Sequence, residues 1–350
     1  MIHIVGHCDR RIFGLIPAQR LERQAGMLET LIVADANAVI DDQAIQWLVD
    51  NPGTVLVTAA GDKLAIAIEA ARLPLAVAAM EDGPAEFSVT TPAAIGEVYS
   101  RKLRRRSGLI AISLNELTEQ DAERTLFNSV YKGVTDLVTK WAWPRPAFLV
   151  TRMAARWGVH PNHVSFVGLA LTVLAGWLFF TSSMVAGLAA AWAMTFLDTV
   201  DGKLARVTVT SSKFGNWLDH GNDIIHPPLW WLCLAHGLAL GQPESGREIW
   251  TACAIILACY VVARAIEVSF HLLFGFNAFL FRTFDTWFRL IVSRRNVLLL
   301  IMTLGGLFGE WVGAFAICAG WSLVSTAIQA IRIVQAWLAA RKQPLKPCLA

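Results

Sequence analysis

The chain has 350 residues, of which 55% are hydrophobic and 16% charged, with a mean hydropathy of +0.49. That balance excludes an ordinary soluble protein for most of the length, and a formal net charge of +3 gives no ground for a nucleic-acid partner. Residues 1–160 hold most of the Asp, Glu, Lys and Arg, whereas 164–340 hold the long apolar runs, so two parts of different kind meet near residue 160.

The first residues, MIHIVGHCDRR, place their basic pair after a short apolar run, the reverse of a secretory signal, which predicts a cytoplasmic N-terminus. Up to about residue 115, runs rich in Val, Ile and Leu alternate with amphipathic stretches. Strands are expected at 2–5, 30–34, 54–58, 64–68 and 109–112, and helices at 17–26 and 42–50, the second capped by Asp41 or Asp42. This alternation predicts a small N-terminal α/β domain over 1–115. The basic cluster from Lys102 to Arg106 suits a solvated surface or contact with anionic lipid.

Residues 116–160 read as juxtamembrane. An amphipathic helix opening at Thr118 or Glu119 is expected to run past Lys132, Asp136 and Lys140 to Trp141 and Trp143, lying along the membrane face, with a second amphipathic segment at 147–157. His160-Pro161-Asn162 then leads into an α-helical membrane region over 161–340. Six transmembrane helices can be laid out at 164–181, 184–198, 219–240, 249–273, 297–311 and 312–334, followed by a tail, 341–350. Lys203, Arg206 and Lys213 lie in one connection, Arg282, Arg289, Arg294 and Arg295 in another, and Arg341, Lys342 and Lys346 in the tail. Positive-inside bias therefore predicts a multi-pass protein of the cytoplasmic (inner) membrane, with both termini on the cytoplasmic side. The six cysteines show no C-x2-C pairing, and four of them lie in apolar runs, as expected for small core residues.

One stretch carries chemistry. Asp198, Asp201, Gly202, Ala205, Arg206, Gly215, Asp219 and Asp223 form the pattern D-x2-D-G-x2-A-R-x8-G-x3-D-x3-D between two apolar segments. An acid in or at the end of a span is costly, about 2.5–3.5 kcal/mol at a helix centre, unless it is paired or bound to metal. Asp198 and Asp201 are three apart and Gly215, Asp219 and Asp223 four apart, so two helix faces can bring four carboxylates together. Hard oxygen ligands favour Mg²⁺ or Mn²⁺, and two such ions can hold a phosphoryl group for in-line displacement. Gly202 and Ala205 leave room for a nucleotide, Gly215 lets helices approach, and Arg206 can meet a diphosphate bidentately. A transporter, proton relay or scaffold that only binds cations would also keep acids at membrane depth. It would not require the small residues and the arginine at these offsets.

All eight positions resemble the signature of the CDP-alcohol phosphotransferases, and the resemblance extends more broadly from about Ala122 to Ala340. It implies a six-helix bundle around a cytoplasm-facing cavity. The implied reaction is metal-dependent transfer of a phosphoalcohol or phosphatidyl group from a CDP-linked donor to an acceptor hydroxyl, releasing CMP, in phospholipid biosynthesis. By the same resemblance Asp198, Asp201 and Asp219 are metal ligands and Asp223 is both ligand and general base. Gly202, Ala205 and Gly215 line the cytidine pocket, and Arg206 holds the donor phosphates. The implied partners are the CDP-linked donor, an alcohol or phosphoalcohol acceptor, membrane lipids and a second subunit of a homodimer.

Where the acceptor carries a phosphate, Lys132, Arg152, Arg264, Arg294 and Arg295 are candidates to receive it, with snorkelling to the interface as the alternative. His220 and His226 flank the acids, but the pattern asks for no histidine there. The N-terminal domain weakly resembles the nucleotidyltransferase-like domain fused to some members. It carries Cys8-Asp9-Arg10-Arg11-Ile12-Phe13-Gly14 where a glycine-rich triphosphate loop would be needed, and only Asp35 stands where a metal-binding aspartate is expected. A non-catalytic domain is expected.

Overall fold

The computed structural model describes residues 1–26, 30–81, 87–211 and 213–350, and the side chains of residues 213, 214, 216 and 218–220 lie outside that description. The chain divides into two compact units: Met1–Gly133 with Phe148–His160 and Gly202–Ser211, and Val134–Ala147 with Pro161–Asp201 and Ser212–Ala350.

The first unit runs β1 (Ile2–Val5), α1 (Pro17–Ala25), β2 (Leu31–Asp35), β3 (Ala38–Ile40), α2 (Asp42–Asp50), β4 (Thr54–Val57), β5 (Lys63–Ile68), α3 (Leu73–Glu81), β6 (Ser88–Thr90), α4 (Pro92–Ile95), β7 (Glu97–Ser100), β8 (Arg105–Gly108), β9 (Ala111–Ser113) and α5 (Glu119–Ser129). Its main sheet has the order β1-β2-β5-β4-β6, with β1 parallel to β2, β5 antiparallel to β2 and β4, and β6 parallel to β4. Successive side chains of a strand point to opposite faces, and both faces of β2 are covered. Leu31 and Val33 pack with Ala76, Ala79 and Met80 of α3, while Ile32 and Ala34 pack with Leu21 and Ala25 of α1 and Ala44 and Leu48 of α2. Asp41 caps α2 by accepting from the Ala44 amide at 2.8 Å.

The expected strands at 2–5, 30–34, 54–58 and 64–68 are present within a residue, and the expected fifth, at 109–112, shifts to Ala111–Ser113. Missing from the expectation were β3, β6, β7, β8 and α4, only three or four residues each, and α3, which is too uniformly apolar to display a helical period. The loop after β1 is anchored inward. Arg10 donates to the carbonyls of Leu114 and, at 2.8 Å, Leu117; the Phe13 amide donates to Glu123 at 3.1 Å; Ile12 and Phe13 are buried.

The expected long juxtamembrane helix is broken. α5, capped by Thr118 through the Asp121 amide at 3.2 Å, stops at Ser129. Gly133 then passes so close to the neighbouring backbone that a Cβ there would lie 2.6 Å from that of Arg105. Asp136 starts a short π-helical turn, Val138–Ala142, by accepting from the amides of Val138 and Thr139 at 3.1 and 3.0 Å. α6 (Pro144–Arg156) follows.

The remaining elements are α7 (Pro161–Phe180), α8 (Met184–Val207), α9 (Lys213–Gly241), α10 (Gly246–Phe274), α11 (Thr283–Ile291), α12 (Arg295–Leu307) and α13 (Trp311–Ala340). Five described helices are long and apolar enough to cross a membrane, and a sixth span results if α11 and α12, bent by 43°, count as one. The chain is a multi-pass membrane protein. Its helical core gathers Phe179, Trp230, Trp231, Leu299, Met302 and Phe315. α9 meets α7 without side-chain clearance at Gly237, where a Cβ would lie 1.9 Å from the Phe179 carbonyl oxygen, so only glycine fits.

Several expected span ends differ from the structure: α9 begins at Lys213 rather than 219 and α13 runs to Ala340 rather than 334. α8 does not stop at Asp198 but continues to Val207, because the buried Lys203 ammonium finds the face of the Tyr131 ring (2.7 Å to the centroid) and the Val130 carbonyl (3.4 Å). The expected fifth span becomes a bent pair whose break is fixed by Ser293, whose amide donates to Ser325 at 3.1 Å and whose hydroxyl meets that of Ser322 at 2.7 Å.

Candidate active site

α8 carries Asp198 and Asp201 in the second unit and Gly202, Ala205 and Arg206 in the first; α9 carries Gly215, Asp219 and Asp223. Asp201 is buried and accepts the Ser165 hydroxyl of α7 at 2.6 Å. Gly202 lies beside Arg206 on the helix. A Cβ on Gly202 would lie 3.4 Å from the Arg206 guanidinium, in ordinary van der Waals contact, so the two residues share one helix face a turn apart. The side chain of Asp219 lies outside the described residues.

Asp198 and Asp223 converge on Arg295, the first residue of α12. Its Nη2 donates to Asp198 Oδ2 at 2.6 Å and its Nη1 to Asp223 Oδ1 at 3.0 Å. The guanidinium is 14% exposed, against 23% and 49% for the two carboxylates, so the pairing is sheltered on the arginine side and open on that of Asp223. His226 supports it. Its Nδ1 lies 2.6 Å from the Asn222 carbonyl, which makes Nδ1 the donor and leaves Nε2 to accept from Arg295 Nη1 at 3.2 Å. Among the described residues no three His, Cys, Asp or Glu side chains meet closely enough to hold a metal ion.

The backbone around Asp223 is opened by Pro227 and Pro228 inside α9. A proline supplies no N–H to the carbonyl four residues earlier, here those of Asp223 and Ile224. Tyr260 of α10 replaces one missing bond by donating its hydroxyl to the Ile224 carbonyl at 2.8 Å.

Residues 158–341, more than half of the chain, match the family described as CDP-alcohol phosphatidyltransferase. The chain belongs to that family. Over 98 residues it is 34% identical to archaetidylinositol phosphate synthase of Pyrococcus horikoshii, covering 28% of this chain and 50% of the relative, so the chain spans about half the length of the curated relative it matches. Crystal structures of phosphatidylinositol phosphate synthase of Mycobacterium tuberculosis, one with CDP-DAG bound and one with manganese and citrate, match at 20% and 19% identity. They cover 54% and 53% of this chain and 94% and 88% of theirs, each with a TM-score of 0.44.

Within this member of the family, the candidate acceptor cations separate. Arg152 is committed to the buried Glu123, which also meets Arg156 at 3.8 Å, and Lys132 is exposed. Arg264 and Arg294 share Glu267, the first at 3.3 Å. Among the described contacts, Arg295 is the candidate that hydrogen-bonds the signature acids. Its neighbour Asn296 donates to Asp136 at 3.0 Å, tying the start of α12 to the turn that Asp136 caps. Burial alone would raise the Asp136 carboxyl, but the Arg289 charge and the hydrogen bonds from Thr139 and Asn296 outweigh it and hold the group below its ordinary value. In the first unit the Tyr131 hydroxyl is pushed up to about 12 by burial, against the opposing charge of Arg206.

Proposed function

We propose that the chain is a metal-dependent transferase that moves a phosphatidyl or phosphoalcohol group from a CDP-linked donor to an acceptor hydroxyl and releases CMP. The observation that carries this reading is the convergence of Asp198 and Asp223, from two helices, on one positive charge. The family match and the intact eight-position signature support it. All the donors are carboxylate oxygens, which suits Mg²⁺ or Mn²⁺. Asp198, Asp201, Asp219 and Asp223 would hold the metal, two ions in the fullest form. When bound, the metal supplies positive charge to the donor phosphates.

The chain's own residues supply the rest. Arg206 holds the donor diphosphate, and Gly202, Ala205 and Gly215 leave space for cytidine. Asp223 takes the proton of the acceptor hydroxyl as its oxygen bonds to phosphorus; the bond from phosphorus to the CMP oxygen breaks, and CMP leaves with the electron pair. Arg264 and Arg294, two guanidiniums sharing one carboxylate and within electrostatic reach of Asp223, suit an acceptor that carries a phosphate, with Glu267 orienting them. Residues 1–115 serve without catalysis of their own: the loop that would cradle a triphosphate spends Arg10 and the Phe13 amide on internal partners. The lysines and arginines between the spans favour a site on the cytoplasmic side of the inner membrane.

The test is CMP release from CDP-diacylglycerol in membranes with Mg²⁺, with inositol phosphate, glycerol phosphate and a lipid alcohol as acceptors. Mg²⁺-dependent release that Asp223→Asn lowers by orders of magnitude is expected. Divalent-ion binding without CMP release from any CDP donor would instead point to a cation-binding transport or scaffold protein.

A further inference from the structure

α8 ends in a strained turn. The Thr210 amide bonds the Ala205 carbonyl at 2.9 Å, six residues closing on the first as in a Schellman cap, and Val209 between them takes φ +52°. Glycine ordinarily fills that position. A β-branched residue there is strained and persists only where its surroundings over-determine it.

The surroundings within this unit are two arginines of α1. Arg20 donates Nη1–H to the Val207 carbonyl, and Arg23 donates Nη1–H to the Thr208 carbonyl at 2.9 Å. These carbonyls belong to the end of α8, where no further helical amide arrives. Thr208 fastens the same turn by donating its hydroxyl to Leu204 at 2.7 Å. Arg20 is 3% exposed; burial brings its pKa down to about 10, with Asp42 and Asp41 opposing, so it is charged at neutral pH. Positive charge at a helix C-terminus is also favourable to the helix dipole.

We propose that Arg20 and Arg23 are positioning residues for the donor half of the site: by capping Val207 and Thr208 they fix the last turn of α8, and with it the direction in which Arg206 leaves the helix. The N-terminal unit thereby sets donor affinity without doing chemistry. Arg206 lies in that last turn, one residue from the first capped carbonyl and three from the strained valine. The inference rests on the transferase reading for what Arg206 holds, but the cap itself does not.

The experiment uses the full-length protein in detergent or nanodiscs. Amide exchange is read at Thr208 and Thr210, whose amides bond Leu204 and Ala205, and donor and acceptor KM are read with CDP-diacylglycerol and the best acceptor. Arg23→Gln should speed that exchange and raise donor KM about tenfold while acceptor KM and kcat stay within about twofold, and Arg23→Lys should recover most of the loss. Val209→Gly removes the strain, so adding it to Arg23→Gln should restore both readings. Arg20→Met is the harsher variant, and the exposed-side Arg23 series keeps the test alive if it fails to fold. Unchanged exchange in Arg23→Gln overturns the cap. Faster exchange with unchanged donor KM, or equal rises in donor and acceptor KM, overturns the positioning role. A wild-type chain that releases no CMP sinks the transferase reading and the donor half of the proposal, while the exchange arm still decides the cap.

Discussion

Arg332 and Arg295 each stand in the helical unit with a carboxylate oxygen 2.6 Å away, but they are matched differently. Arg332 of α13 takes both oxygens of Asp285 of α11, Nε to Oδ1 at 2.7 Å and Nη2 to Oδ2 at 2.6 Å, beneath the rings of Phe281 and Phe284. That is one cation to one anion in parallel-fork geometry, and its charge sums to zero. Arg295 instead takes one oxygen from each of two acids on two helices, so one positive charge faces two negative ones. The balanced pair joins α11 to α13. The shared one joins α8 and α9 to α12 through a single guanidinium, and it sits where Asp223 is half-exposed.

Substitutions should break the two clusters in different observables. Asp223→Asn removes the proposed base and should lower the rate of CMP release about 10²–10⁴-fold. Its thermal unfolding should hardly move, since Asn still accepts from Arg295. Asp285→Ala should do the reverse: it leaves a half-buried guanidinium with only Gln335 to accept from it among the described residues, costing about 2–3 kcal/mol, and replacing both partners by Leu and Met should recover most of that. If Asp285→Ala at a permissive temperature lost as much activity as Asp223→Asn, the contrast between the clusters would be wrong. A smaller effect separates them again. Arg295→Gln leaves two acids facing each other, so the variant should lose about 1–3 kcal/mol in EDTA and regain it with Mg²⁺, whereas Arg332→Gln should lose stability in both. An equal loss for Arg295→Gln with and without Mg²⁺ would mean that the acids do not hold the ion.

The signature was legible because its eight residues lie in one stretch at helical offsets, which fixes their faces before any tertiary contact is known. Arg295 was only one of five basic candidates, since it is 97 residues from Asp198 and nothing local marks its partner. His226 was visible as a neighbour of the acids, but its tautomer depends on the Asn222 carbonyl and so on geometry. Pro227-Pro228 could have been read as an opened helix; that Tyr260, 36 residues from Ile224, would fill the gap could not. The break after Ser129 was hidden for the opposite reason. The apolar period continues through residues 130–140, and what stops the helix is a close backbone approach at Gly133 together with a new cap at Asp136.

Two capping aspartates outside the spans carry the contrast in its mildest form. Asp41 caps α2, and burial pushes its carboxyl up from an ordinary 3.8 to about 6; the Ala44 amide opposes this, and Arg20 contributes least. Asp136 is buried too, but the Arg289 charge and the hydrogen bonds from Thr139 and Asn296 hold it below its ordinary value. The two acids therefore respond to acid with opposite signs. Between about pH 6 and pH 4 the folded chain binds a proton at Asp41 that the unfolded chain does not, so stability rises as pH falls, and above pH 6 the full penalty is present. The contribution of Asp136 is present above its unfolded value and is lost only as pH falls through its lowered folded one. Acidifying from neutral to about pH 4.5 should thus stabilise α2 and its sheet by about 1–2 kcal/mol while the Asp136 turn is unaffected. Asp41→Asn keeps a capping oxygen but cannot titrate, so it should flatten that slope and be the more stable chain at neutral pH. Thermal unfolding of the two full-length proteins across this range decides it, because an identical pH slope in both would remove Asp41 as the source.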